Sequence, residues 1–183
     1  MRVRFAGFFI AALCLWALAA CGSPSQVNPP ASGNGGSATL PAGLLLSVAP
    51  EHAKGVAEVK KEAKENDDVV LRGRIGGSVE PFTKGRAILE LTDSSLLICS
   101  ERPDDHCPTP WDYCCEDKDH LVAHKATIQF VDAQGMPLKI DIKGQHGLKE
   151  SATVVVKGKV GPRPDPKVLV INATGVFVEP KAP

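Results

Sequence analysis

Apolar and polar residues alternate along most of the chain after residue 67. In each alternating stretch every second side chain is apolar, the period of a β-strand with one buried face. The stretches are 69–75, 87–92, 127–130, 138–143, 152–160, and a last one through 168–171 and 175–178. The segment 132–135 predicts a hairpin turn. Five or six short strands with polar outer faces predict a small antiparallel barrel or sandwich.

Glycine placement favours an OB-like barrel over a β-sandwich. The first predicted strand holds Gly73 between two arginines, and Gly76-Gly77 follows where a strongly coiled strand must bend. The strand at 152–160 repeats this form around Gly158, between two lysines. The Cys–Trp–Cys spacing of immunoglobulin domains is absent from the sequence. We therefore predict an all-β, OB-like domain, with a β-sandwich as the alternative.

A helical pattern precedes the first strand. Residues 51–66 place Val56 and Val59 on one helical face, after Pro50 and before Asn66. The remaining positions are mostly charged or small, which is typical of a solvated face. The sequence predicts a short, mostly exposed helix that leads into the domain.

The N-terminus has the pattern of a bacterial lipoprotein signal. Arg2 and Arg4 precede an apolar segment at 5–18 that is too short for a comfortable membrane span. Leu18-Ala19-Ala20-Cys21 then forms a lipobox, in which the cysteine thiol receives the lipid. We predict cleavage after residue 20 and a lipid anchor at Cys21, which would hold the protein at the cell envelope, facing the periplasm or exterior. The alternative is an N-terminal membrane anchor with a chance cysteine.

Composition divides the remainder into a linker and one domain. Residues 22–43 are rich in Gly, Pro, Ser and Asn and contain no charged residue, which predicts a disordered tether with a reach of roughly 25 Å. The predicted organisation is a signal peptide at 1–20, a lipidated cysteine and flexible linker at 21–43, and an OB-like domain at 44–180 with a cysteine-rich insertion at 99–120.

Net charge excludes a general nucleic-acid binder. The full sequence has 21 basic and 21 acidic residues. Loss of the two arginines in the signal peptide leaves a net charge of about −2, without the basic excess that nucleic acid requires. We expect no nucleic-acid partner.

Four cysteines lie between the second and third predicted strands. They are Cys99, Cys107, Cys114 and Cys115. In an oxidising compartment, an even count in a long loop predicts two disulfides that stabilise an insertion without a core of its own. Direct pairing of Cys114 with Cys115 would strain the intervening peptide. We therefore expect Cys99 and Cys107 each to join one member of the adjacent pair, in an order that the sequence leaves open.

A metal site is the alternative for the same loop. Thiolates together with imidazole suit zinc or copper(I), and His106 adjoins Cys107. The set would be the four cysteines with His106, and His120 and His124 share a helical spacing nearby. A redox-active Cys114-Cys115 pair is disfavoured, because the neighbouring acidic residues would raise the pKa of a thiol.

Chemistry outside the loop is sparse. The sequence has no nucleophile elbow, phosphate-binding glycine loop or His-Glu-x-x-His motif. We predict a non-enzymatic binding or scaffold module without a cofactor. Trp111 and Tyr113 are two of the few aromatic residues, so they are the predicted contacts for an envelope partner.

Several segments resemble a family of lipoproteins from planctomycete-type bacteria. They are 73–77, 85–87, 107–116 and 156–159, and the similarity covers roughly 44–178. The stretch Cys-Pro-Thr-Pro-Trp-Asp-Tyr-Cys-Cys-Glu at 107–116 is its specific part. The resemblance implies an OB-like fold and brings no known activity or ligand.

Overall fold

The computed structural model describes residues 38–103 and 106–181. The strands are β1 (Lys54–Gly55), β2 (Asp68–Ile75), β3 (Ile88–Thr92), β4 (Lys125–Phe130), β5 (Thr153–Val160) and β6 (Val170–Val178). The helices are α1 (Val56–Glu62) and α2 (Lys118–Ala123), with short 3-10 turns at Ala42–Leu44, Cys99–Glu101, Pro110–Asp112 and Gln145–Gly147. The predicted signal peptide, Cys21 and most of the predicted linker lie outside the described residues.

Strands β2 to β6 form a closed five-stranded barrel in the order β2-β3-β4-β6-β5, and β5 returns to β2. The β2–β5 ladder runs from Asp68↔Lys159 to Arg74↔Thr153 and is antiparallel. Only the β4–β6 ladder among these five strands is parallel. Closure leaves neither flank of β2 as a free edge, since β3 and β5 pair on its two sides. The predicted OB-like barrel is confirmed, and the β-sandwich alternative is wrong.

The inward residues of each strand fill the barrel. They include Leu71, Ile75, Leu89, Leu91, Ile128, Phe130, Val154, Val156 and Ile171, each at most 1 % exposed. Gly158 permits close approach of β5 to β6 at a bulge, because a Cβ there would lie 2.6 Å from the Asn172 carbonyl oxygen. The apolar residues that alternate along the sequence are therefore the ones that face the interior of the barrel.

Helix α1 is shorter and more buried than predicted. It begins at Val56, because the Asp93 carboxylate accepts the Ala57 N–H at 2.9 Å. A Cβ on Gly55 would lie 2.7 Å from that carboxylate, so glycine allows the approach. Val56 and Val59 are 0 % and 2 % exposed and belong to the main core. The predicted short helix before β2 is present, but it spans 56–62 and not 51–66, and the barrel supplies its cap and its apolar contacts.

The strand predicted at 138–143 does not form. The hairpin turn at 132–135 is present, with the Gly135 N–H donating to the Asp132 carbonyl at 3.0 Å. After it, a bridge joins Val131 to Pro137, the Leu138 N–H donates to the Phe130 carbonyl at 2.9 Å and the Leu138 carbonyl accepts the Ala87 N–H at 2.8 Å, but no strand forms over 138–143. Residue 142 is nevertheless 1 % exposed, because the loop folds this isoleucine into the main core. The alternating burial of side chains over 138–143 therefore comes from packing of the loop against the core, and not from pairing of a β-strand.

Within the part of the chain that the structure describes, no helix has the length and apolar character needed to span a bilayer.

Candidate metal centre

The cysteine-rich insertion connects β3 to β4 and has a small apolar core of its own. Leu96, Ile98 and Tyr113 are buried together, and Leu121 of α2 packs against them. This cluster gives the loop a rigid base.

Three contacts attach the loop to the barrel. The Trp111 carbonyl accepts the Gly77 N–H at 2.8 Å, and its indole N–H donates to the Val79 carbonyl at 3.1 Å. The Arg74 guanidinium on β2 makes two hydrogen bonds to the Glu101 carboxylate, at 3.0 and 3.1 Å. Gly76 is required beneath the loop, because a Cβ there would lie 2.5 Å from the Trp111 carbonyl oxygen. The end of β2 therefore positions the cysteine segment.

The cysteine sulfurs converge around Cys114. Its Sγ lies 3.6 Å from Sγ of Cys99, 3.6 Å from Sγ of Cys107 and 3.9 Å from Sγ of Cys115. A disulfide requires about 2.03–2.05 Å between sulfurs. Among the described residues no disulfide is at bonding distance, and the two 3.6 Å separations favour neither of the predicted pairings over the other.

Asp112 adds a carboxylate to the sulfurs. Its Oδ1 lies 3.9 Å from Sγ of Cys99 and 4.0 Å from Sγ of Cys107. The Cys114 N–H donates to Oδ1 at 2.9 Å, and the Thr109 hydroxyl donates to Oδ2 at 2.9 Å. These two bonds hold the carboxylate beside the thiols.

One donor atom from each of four residues lies within 4.8 Å of the other three. The residues are Cys99, Cys107, Asp112 and Cys114, here called the Cys3Asp cluster. Cys99 is fully buried, Cys107 and Asp112 are half-buried, and Cys114 is exposed. The arrangement is thus closed on the barrel side and open to solvent at Cys114.

The environment of Cys99 and Cys114 favours their protonated form. Burial raises the pKa of the Cys99 thiol, and hydrogen bonds with the sulfurs of Cys99 and Cys107 raise the pKa of the Cys114 thiol. A bound metal ion would supply positive charge that stabilises these thiols as thiolates. Binding of a metal would therefore release protons.

A polar network borders the cluster on the α2 side. The Arg102 guanidinium contacts the Glu116 carboxylate, which also lies 3.0 Å from Nδ1 of His120. The hydrogen bond with His120, assisted by the charge of Arg102, lowers the pKa of Glu116. The Asp117 carboxylate caps α2 by accepting the His120 N–H at 3.0 Å.

The structure separates the sequence-predicted residues into two groups. It brings three of the four cysteines into the cluster and leaves Cys115 at its edge. His106 is exposed and outside the set of four donors. The rings of His120 and His124 are 4.3 Å apart on α2, also outside the set. Sequence reasoning treated Asp112 only as a flanking charge, although its position two residues before Cys114 was the available signal.

The two aromatic residues predicted to contact a partner occupy different environments. Tyr113 is 1 % exposed and packs in the loop core, so its side chain is not available on the surface in this structure. The residue has a left-handed backbone with φ of 57°, which turns the ring inward while Asp112 and Cys114 face the cluster. Trp111 is half-buried. Tyr113 is therefore a packing residue.

Comparison with known proteins adds little to this geometry. No family model and no curated protein matches the chain. Among solved structures, the chain is similar to the hypothetical protein ygiW from E. coli, with 16% identity over 80% of this chain and 100% of that chain and a TM-score of 0.36. The assignment of the barrel rests on the strand pairing described above.

Proposed function

We propose that this protein is a non-catalytic zinc-binding domain of the cell envelope, with the Cys3Asp cluster as the metal site. The observation that supports this is the spacing of the sulfurs. Tetrahedral ligands at a Zn–S bond length of 2.3 Å lie about 3.8 Å apart along each edge. The 3.6 Å separations around Cys114 are close to that value and far from the length of a disulfide bond.

The donor set favours zinc over copper(I). Copper(I) prefers soft thiolate and thioether ligands, whereas zinc also accepts a carboxylate oxygen. Asp112 supplies such an oxygen, already oriented by Thr109 and by the Cys114 N–H. Four protein ligands would complete a tetrahedral shell, which is the pattern of a structural site and not of a catalytic one that keeps a position for water.

Zinc would organise a loop that has few other contacts. Among the described residues, its apolar core consists of Leu96, Ile98 and Tyr113, with Leu121 packed against them. Binding energy at a zinc site that is absent from the unfolded chain contributes directly to folding. The metal would thereby stabilise the surface of the insertion.

Metal and thiol analysis of the full chain isolated from its native envelope tests the proposal. We expect one zinc per chain and reduced cysteines in the cluster. Cys114→Ser removes the sulfur that lies between two others, so zinc should be lost. Cys115→Ser is the matched control, because it removes a neighbouring exposed thiol outside the set of four donors.

Two results would contradict the proposal in different ways. Isolated protein with its cysteines in two disulfides and no zinc would support the predicted disulfide framework instead. If Asp112→Asn retains zinc and Cys115→Ser loses it, the fourth ligand is the Cys115 thiolate and not the Asp112 carboxylate. The second outcome would change the ligand set and remove the argument against copper(I).

A partner-binding role for the loop is the second candidate. Trp111 is half-buried, and its indole is bonded to the carbonyl of Val79, whose own side chain is 55 % exposed. An aromatic residue beside an exposed apolar side chain is typical of an interface. Trp111→Ala should weaken capture of an envelope partner from native membranes, and unchanged capture would refute this role.

The lipid anchor is part of the proposal and is tested separately. Labelling of the full chain with a radioactive fatty acid should depend on Cys21, and the mature protein should begin at Cys21. Cys21→Ser should lose the label and keep residues 1–20, since lipidation precedes cleavage. An original chain that is unlabelled and keeps residues 1–20 would instead indicate an N-terminal anchor segment.

A further inference from the structure

A second site lies where α1, α2 and the connection between β5 and β6 meet. A cavity of about 720 Å³ opens there, within the range of pockets that hold small molecules. Part of its wall is apolar and comes from Ala63, Val122, Ala123 and Pro166. The exposed fraction of Val122, 37 %, is large for an apolar side chain on a six-residue helix.

The rest of the wall is mainly cationic. Five basic residues line the cavity, against the acidic residues Glu65 and Asp119. The basic residues are Lys60, Lys61, Lys64, Arg163 and Lys167. Within the described parts of the chain, none of the five makes an ion pair with a carboxylate, whereas Lys54, Arg72 and Lys143 elsewhere do. The acidic residues Glu65, Asp119 and Asp165 therefore offset only part of the positive charge at the cavity.

Lys60 forms the inner part of this cationic wall and is 8 % exposed. Its ammonium donates to the carbonyl oxygens of Val122 at 2.6 Å and Lys125 at 2.8 Å. An ammonium has three N–H groups. Across residues 38–103 and 106–181 the third finds no acceptor, although the side chain lines the cavity.

Arg163 is held in a similar way. Its guanidinium donates to the carbonyl oxygens of Ala63 at 2.5 Å, Lys60 at 3.0 Å and Pro166 at 3.0 Å. All of these acceptors are neutral main-chain groups. Burial, together with the positive charges of Arg163 and Lys125, lowers the pKa of Lys60 to about 8. An anion in the cavity would relieve this repulsion.

We propose that this cavity binds an amphiphilic anion, with an acyl chain against the apolar wall and an anionic head group near the Lys60 ammonium. The head group would accept the third N–H of Lys60 and interact with the exposed ammonium groups of Lys64 and Lys167. A free fatty acid and a phospholipid share this chemistry. The site is separate from the Cys3Asp cluster and does not depend on bound zinc.

Titration of the full chain with four probes tests the proposal. Dodecanoate and dodecyl phosphate carry a hydrocarbon chain and an anionic head, dodecanol lacks the charge, and inorganic phosphate lacks the chain. We expect the two charged amphiphiles to bind and to shift the backbone NMR resonances of Ala63 and Val122. The tighter of the two identifies the source as a fatty acid or a phospholipid.

Two double variants distinguish binding at this cavity from nonspecific attraction to surface charge. Lys64→Gln with Lys167→Gln should weaken binding about tenfold, since charge-assisted contacts to the head group are lost. Lys84→Gln with Lys139→Gln removes two exposed lysines outside the cavity and should leave the affinity unchanged. Neither pair removes a hydrogen bond of the folded protein, so both variants should fold.

A pH series gives an independent measurement. Affinity for dodecanoate should fall as the pH rises through about 8, because Lys60 loses its charge, and bound dodecanoate should raise the pKa of Lys60. The proposal is wrong if dodecanol binds as tightly as dodecanoate, if inorganic phosphate binds as tightly as dodecyl phosphate, or if neither charged amphiphile binds. Equal weakening by the two double variants would also overturn it.

Discussion

Replacement of Lys60 by methionine should remove a pH dependence of stability that the buried ammonium creates. Burial and two nearby positive charges lower the pKa of Lys60 from 10.5 to about 8 in the folded protein. Between these two pH values the unfolded chain binds a proton that the folded chain has released. The free energy of unfolding contributed by this group therefore rises with pH across that window.

The expected magnitude follows from the size of the shift. One pKa unit corresponds to about 1.4 kcal/mol, so the full shift is worth about 3 kcal/mol. About 2–3 kcal/mol of this should appear between pH 7 and pH 10, because the unfolded lysine is not fully deprotonated at pH 10. At pH 7 the penalty for burying the charge is present in full.

Urea unfolding at several pH values measures the effect. Cysteine, tyrosine and other lysine side chains also titrate in this range, so the informative quantity is the difference between the original chain and Lys60→Met. That difference should change by about 2–3 kcal/mol from pH 7 to pH 10, with the original chain gaining stability relative to the variant. Parallel curves for the two proteins would refute the argument that this ammonium is buried among cations.

Three further predictions test packing and capping. Gly158→Ala should destabilise the barrel by about 1–3 kcal/mol in urea unfolding, because the added methyl group meets the main chain of β6, whereas Gly43→Ala, with open space around it, should be nearly neutral. Tyr113→Ala should cost about 3–5 kcal/mol of loop stability, seen as faster amide exchange in the insertion, and a loss confined to the barrel would contradict the assigned packing. Asp93 is buried, which by itself raises its pKa, but hydrogen bonds from Ala57 and Ser95 lower the pKa overall. Its contribution to stability should therefore persist at neutral pH and disappear as the pH falls through the folded-state pKa, and Asp93→Ala should abolish that acid-dependent part.

The barrel was largely predictable because alternation is a local property. Every second residue of β2, β3, β4 and β5 faces the interior, and the sequence shows it directly. The failure at 138–143 shows the limit of the pattern. Alternation reports which side chains are buried, but a strand also needs a partner for its backbone, and the pairing that reaches Leu138 does not continue as a ladder through 139–143.

The cysteine site was predictable in part. Four cysteines in one loop indicated either disulfides or a metal, and the sequence favoured disulfides only through the compartment that its lipobox predicts. The separation of 3.6 Å between sulfurs depends on how the Tyr113 ring packs and on where the end of β2 meets the Trp111 carbonyl. These sulfur–sulfur distances depend on several secondary-structure elements at once, so a local sequence pattern does not predict them.

By itself, the sequence determined the period of the strands, the concentration of cysteines in one insertion and the pattern of a lipidated N-terminus, because each depends only on neighbouring residues. The tertiary structure decided that Asp112 joins three cysteines, that Tyr113 is buried and that basic residues outnumber acidic ones around one cavity. Lys60 and Arg163 are about a hundred residues apart in the chain. Closure of the barrel is what brings such residues into contact, and closure is a property of all five strands together.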